Sequence, residues 1–155
     1  MQLNNFVVQE FVPKAMYQRR GNASIEYMDQ RIIAAADLLR DNLRSLGHDN
    51  GFTINNWHLN GARQYSGLRT ADSKDFSQTS QHTFGRALDI ITATPLAFIH
   101  AHIIDNHTIY SNIRFIEVDI NWLHIDCRQN YDDSPLKIWS PKRGFISVPA
   151  YREEL

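Results

Sequence analysis

Asp89 stands inside an otherwise apolar run, Ala87-Leu88-Asp89-Ile90-Ile91. In a strand, Ala87, Asp89 and Ile91 share one face while Leu88 and Ile90 share the other. A carboxylate carried into a core by such a strand needs a charged partner, a hydrogen-bond network or a metal ion. Whatever fold the chain adopts, it must bring one of these to Asp89.

The neighbouring sequence offers imidazoles. His82 lies in Ser80-Gln81-His82-Thr83-Phe84-Gly85-Arg86, ahead of a glycine turn that leads into the strand. Further on, Trp122-Leu123-His124-Ile125-Asp126 alternates in the same way. Trp122, His124 and Asp126 point to one face, and Leu123 and Ile125 to the other. His124 can therefore face the same cavity as His82 and Asp89. Imidazole and carboxylate both suit zinc, and a His-Asp-His set leaves a fourth position for water, as a catalytic site needs. The same residues also fit a polar strand face in which Asp89 closes an ordinary hydrogen-bond network. Spacing alone leaves both readings open.

Composition narrows the chemistry. Cys127 is the single cysteine, which excludes an internal disulfide framework and a multi-cysteine metal site. Lys and Arg total 16 against 17 Asp and Glu, and no basic run stands out, so a polybasic nucleic-acid binder is disfavoured. No apolar stretch is long enough to span a bilayer. The opening MQLNNFVVQEF lacks a charged segment followed by an apolar one, so it does not read as a signal peptide and synthesis in the cytoplasm is expected.

A length of 155 residues fits one domain with one core, spanning 1–155. Residues 1–22 read as an ordered arm with a short edge strand. Ser24 to Leu46 is predicted as a helix capped by Ser24 and stopped by Gly47, with Met28, Ile32, Ala35, Ala36, Leu39 and Leu43 on its apolar face. Residues 48–82 form a long polar loop entered by a short strand at Phe52, Ile54 and Trp57. A strand over 86–92 is followed by a helix with Thr94 at its N-cap and Pro95 at its first position, running to about Asp105. Strands are predicted at Ile113–Val118, Trp122–Cys127 and Gly144–Val148, the first two joined tightly through Asp119-Ile120-Asn121. The mixture lacks a regular βαβ rhythm, so the expected class is α+β, with a small antiparallel sheet and packed helices. His100 and His102, two apart on a helix, face different ways and make no metal pair. His58 reads as a packing or hydrogen-bonding residue, and Cys127 as buried and inert.

SQHTFGRALD resembles the His-x-x-Gly-x-Ala-x-Asp motif of the zinc D-Ala-D-Ala carboxypeptidase and endopeptidase family, whose fold is shared with the hedgehog signalling domain. WLHID resembles the later strand that bears that family's third zinc ligand. Ser66-Gly67-Leu68-Arg69 is similar to its upstream segment with a substrate-binding arginine. The resemblance covers residues 50–127 and, more loosely, the N-terminal helix. Members cleave peptides of bacterial peptidoglycan, and phage endolysins are among them. The resemblance implies zinc held by His82, Asp89 and His124. It implies that Arg69 pairs with a substrate carboxylate through its planar donors, with Arg63 in the same loop as the alternative. It implies a monomeric endopeptidase whose partner is a peptidoglycan stem peptide. Such an enzyme would reach the wall after release or as a virion component.

The general base departs from the family pattern. Many relatives place an acidic residue three positions before the last histidine, where this chain has Asn121. An amide cannot accept the proton. Glu117 is the best replacement, reaching back across the hairpin, and Asp119 is the runner-up, although it also suits a turn cap. Asp126 shares the face of His124 and reads as a partner that holds the ligand ring or Arg69. Were neither acid to approach the metal, a catalytically inactive zinc-binding or wall-binding domain would be the alternative.

Overall fold

The computed structural model describes residues 3–48 and 51–155. Its helices are α1 (Lys14–Arg20), α2 (Gln30–Ser45), α3 (Leu96–Asp105) and α4 (Val148–Glu154). Its strands are β1 (Ala87–Ile90), β2 (Phe115–Glu117), β3 (Leu123–Asp126), β4 (Lys137–Ser140) and β5 (Gly144–Ile146). They form one sheet in the order β1-β3-β2-β4-β5. The α+β class holds. The sheet is mixed rather than antiparallel, because β4 runs parallel to β2. β3 has β1 on one edge and β2 on the other, so the chain leaving β3 finds its next free edge on the far side of β2.

The helix predicted from Ser24 begins later. Gly21–Tyr27 forms a 3-10 segment in which the Ser24 hydroxyl donates to Gly21 O, leaving it unavailable as a cap. Asp29 caps α2 instead, accepting from the Arg31 N–H. Ile32, Ile33, Ala35, Ala36, Leu39 and Leu43 bury the inner face of α2. Gly47 stops it in the left-handed region at φ 79°, with Gly47 N–H on Arg44 O and His48 N–H on Leu43 O. That paired pattern satisfies carbonyls the last turn would otherwise leave open. The start of α3 is shifted by one residue. Pro95 is its N-cap, while the Thr94 hydroxyl donates to His48 O and ties α3 to the end of α2.

The N-terminal arm is ordered but is not an edge strand. It carries a 3-10 turn at Val8–Glu10 and then α1. The last predicted strand ends at Ile146, because Ser147 accepts from the Ala150 N–H and opens α4. The short strand expected near Phe52 reduces to one bridge, Thr53 to Ile91.

The sheet separates two environments. Leu88, Ile90, Ile116, Leu123, Ile125 and Ile138 join α2 and α3 in one apolar cluster. Asp89, Glu117, His124 and Asp126, at alternate positions, take the opposite face. The long loop lies over that face and is pinned to the arm. Leu68 N–H donates to Phe11 O at 2.8 Å and Asn55 N–H to Glu10 O at 3.1 Å. Buried Asn55 also accepts from the Ser66 N–H. Gly67 is required there, since a Cβ would lie 2.2 Å from Phe11 O.

Candidate metal centre

Register places the central residues. Asp89 of β1 and Glu117 of β2 both pair with His124 of β3, one from each side. Three adjacent strands thus set Asp89, His124 and Glu117 in a row. His82 comes from the turn before β1. Gly85 shapes that turn, with φ 64° and a backbone so close to Tyr27 that a Cβ would lie 2.1 Å from its carbonyl oxygen. Gly85 O accepts from the Asp29 N–H, which joins the turn to the start of α2.

The side chains converge. His82 Nε2 is 3.2 Å from Asp89 Oδ2, and His124 Nδ1 is 2.8 Å from Asp89 Oδ1. His82 Nδ1 lies 2.9 Å from Gly67 O, which can only accept, so Nδ1–H donates there and Nε2 is the nitrogen that faces the centre. One ligand atom from each of the three residues falls within 4.8 Å of the others. Tetrahedral zinc with bonds of about 2.0–2.2 Å separates its ligand atoms by about 3.3 Å. The donor types and spacings therefore fit such an ion, or another divalent metal with the same preferences.

Charge is concentrated here. Burial opposes ionisation of Asp89, yet hydrogen bonds from His124 and His82, with their positive charge, hold its carboxyl well below the usual range. Burial also works against a charged His124, but hydrogen bonds to Asp126 and Asp89 raise it to about 9. The centre is thus a tight cluster of opposite charges around Asp89, and a bound cation would take the place of the proton that His124 Nδ1 presents to it. Glu117 is pushed upward, chiefly by burial, with the charge of Asp89 adding to it.

A cleft of about 1070 Å³ opens over the cluster. Glu117 and Arg69 line it, with Phe115, Trp122, Trp139 and Phe145 as an aromatic side. Arg69 Nη2 is 3.2 Å from Asp89 Oδ2, and its other contacts, to Tyr65 O and Asp75 O, are long at 3.4 Å. Arg63 reaches the same cleft but is committed to Ile54 O and Ser66 Oγ, which makes it a brace for the loop.

Two expected site residues lie elsewhere. Asp119 does not line the cleft. It takes a left-handed turn conformation at φ 62°, and its carboxylate accepts from Ser140 Oγ and Arg143 Nε. Its carboxylate is engaged in bracing the turn. Asp126 is fully buried beneath the cleft and cannot meet a substrate. It contacts His124 Nε2 and Arg128 rather than Arg69. Sequence reasoning missed Arg128, although its position two after Asp126 and four after His124 put it on the same alternating face. Trp57 packs against Tyr17 and donates to Val12 O, away from the cleft. His100 and His102 have separate partners, Tyr151 and Tyr110. Comparisons with family models, with curated proteins and with solved structures find no match to this chain.

Proposed function

We propose that this chain is a zinc-dependent peptidase that hydrolyses stem peptides of bacterial peptidoglycan, acting as an endopeptidase. The observation that carries the reading is the convergence of His82, Asp89 and His124 at the floor of an open cleft, with Glu117 one strand away. The motif resemblance supplies the substrate class.

His82 Nε2, Asp89 and His124 Nδ1 would hold the ion. A bound zinc supplies Lewis acidity, polarising the scissile carbonyl and making water nucleophilic near neutral pH. Glu117 accepts the proton of the attacking water and returns it to the leaving amine. Burial raises its carboxyl, which makes it a better proton acceptor than an exposed glutamate. Arg69 holds Asp89 in place and offers its remaining guanidinium donors to a substrate carboxylate. The aromatic side of the cleft covers the apolar parts of the peptide and limits water near the bond being cut.

The test is release of new amino groups from purified peptidoglycan by the purified chain. Chelation should abolish it and stoichiometric zinc should restore it. A second reading, a zinc-holding wall-binding domain without hydrolysis, is favoured by one observation. Asn121, at the position where the family pattern has an acid, stands exposed in the turn. Zinc-loaded protein that binds peptidoglycan and releases nothing would select it.

A further inference from the structure

Arg128 borders the cleft, yet its guanidinium is spent on a residue beneath it. Its backbone N–H donates to Asp126 Oδ1 at 3.1 Å, and its Nε lies 2.9 Å from both Asp126 oxygens. Nη2 closes on Oδ2 as well. The guanidinium carbon sits 3.6 Å from the centroid of the Phe115 ring. Phe115 is the cross-strand partner of Asp126, so the ladder itself sets this stack. Asp126 is fully buried, and its Oδ2 is 3.4 Å from His124 Nε2.

We propose that Asp126 and Arg128 form a positioning pair that fixes the His124 ring so that Nδ1, and not Nε2, is presented to the metal. The inference rests on the metal reading above. An imidazole offers two nitrogens, and the one that carries a proton cannot ligate. A carboxylate against Nε2 keeps the proton on that nitrogen when a metal takes the place of the one on Nδ1, so that the Nδ1 lone pair faces the ion. Asp126 cannot do this alone, because a fully buried carboxylate needs a cation. Arg128 supplies it in a two-pronged grip, and the Phe115 face supports the flat guanidinium. Lysine has the charge without the fork or the stack. Arg128 therefore acts on the proposed metal through two intermediaries, Asp126 and His124.

Zinc affinity by chelator competition, and the visible spectrum of the cobalt-substituted protein, test the pair in Asp126→Asn, Arg128→Met, Arg128→Lys and the Asp126→Asn/Arg128→Met double variant. Thermal melts confirm folding. Asp126→Asn should bind zinc about 10–100-fold more weakly and alter the cobalt spectrum. Arg128→Met should do likewise, Arg128→Lys should recover part of the loss, and the double variant should be no worse than Asp126→Asn alone. If Arg128→Met does not fold, Arg128→Lys against Asp126→Asn makes the same comparison. Folded variants with the parent's zinc affinity and cobalt spectrum overturn the proposal while leaving the metal site intact. A parent chain that takes up no zinc overturns the metal reading, and the pair's role with it.

Discussion

His124 Nδ1 and Asp89 Oδ1 meet at 2.8 Å across the β1–β3 ladder, although 35 residues separate them in sequence. The contact answers the demand made by a carboxylate in an apolar strand. It also places that strand at the proposed site, since the same two groups are two of the three that could hold a metal ion. The other neighbour of His124 in the sheet is Glu117. The proposed ligands Asp89 and His124 and the proposed base Glu117 are thus held by backbone hydrogen bonds of one sheet rather than by separate loops.

Glu117→Gln should keep zinc bound and lower peptidoglycan hydrolysis by about 10²–10⁴-fold. Asp119→Asn should leave the rate nearly unchanged, because its carboxylate serves Ser140 and Arg143. Rates of amine release at matched zinc loading check both. The reverse ranking would move the base to the turn.

Gly85→Ala should destabilise the fold by more than about 1 kcal/mol, since the residue combines a positive φ with contact against a backbone carbonyl. The same change should weaken zinc binding, because Gly85 N–H donates to His82 O within the turn that aims the ring. Urea titration and chelator competition measure the two effects. A variant of parental stability would show that the turn can relax without Gly.

Burial lowers His100 to about 4, and its Nδ1 is hydrogen-bonded to the Tyr151 hydroxyl. The folded pKa lies below the unfolded one, so the unfolded state binds more protons across this interval. Stability is therefore intact above about pH 6.5 and lost as pH falls toward 4, by up to about 3 kcal/mol from this group. Urea unfolding at pH 7 and pH 4.5 should show a smaller loss in His100→Asn than in the parent. Equal losses would assign the acid sensitivity to other groups.

Cys127 is fully buried, and burial, with Asp29 adding to it, pushes its thiol up to about 12. It should resist thiol-directed reagents in the folded protein at pH 8 and react promptly in denaturant. Rapid labelling of the native chain would mean that the edge beyond β3 opens readily.

The parts legible in the sequence are those set by local periodicity. Alternation in Ala87–Ile91 and Trp122–Asp126 identified both site strands and their polar faces, and the stripe from Ile32 to Leu43 identified α2. The start of α2 was less legible, because Ser24 and Asp29 are both good caps. The Ser24 hydroxyl is taken by Gly21 O inside a 3-10 segment, which leaves Asp29 as the cap. β4 was missed because Lys137-Ile138-Trp139-Ser140 has one aliphatic residue and gains its order from Ile116 and Ile146 on either side. Arg128 is not legible from its charge alone, because only the fold brings its guanidinium onto the Phe115 ring and the Asp126 carboxylate.

By itself the sequence determined that Asp89 must find a partner, and that His82 and His124 are the residue types able to serve. It could not determine the order of strands. Alternation depends only on the local backbone, whereas pairing depends on which edges remain free once the core has packed. Placing β3 between β1 and β2 gave His124 both Asp89 and Glu117 as neighbours. The left-handed turn at Asp119 carried its carboxylate away to Ser140. Tertiary structure thereby separated two acids only two residues apart, one facing the cleft and one bracing a turn.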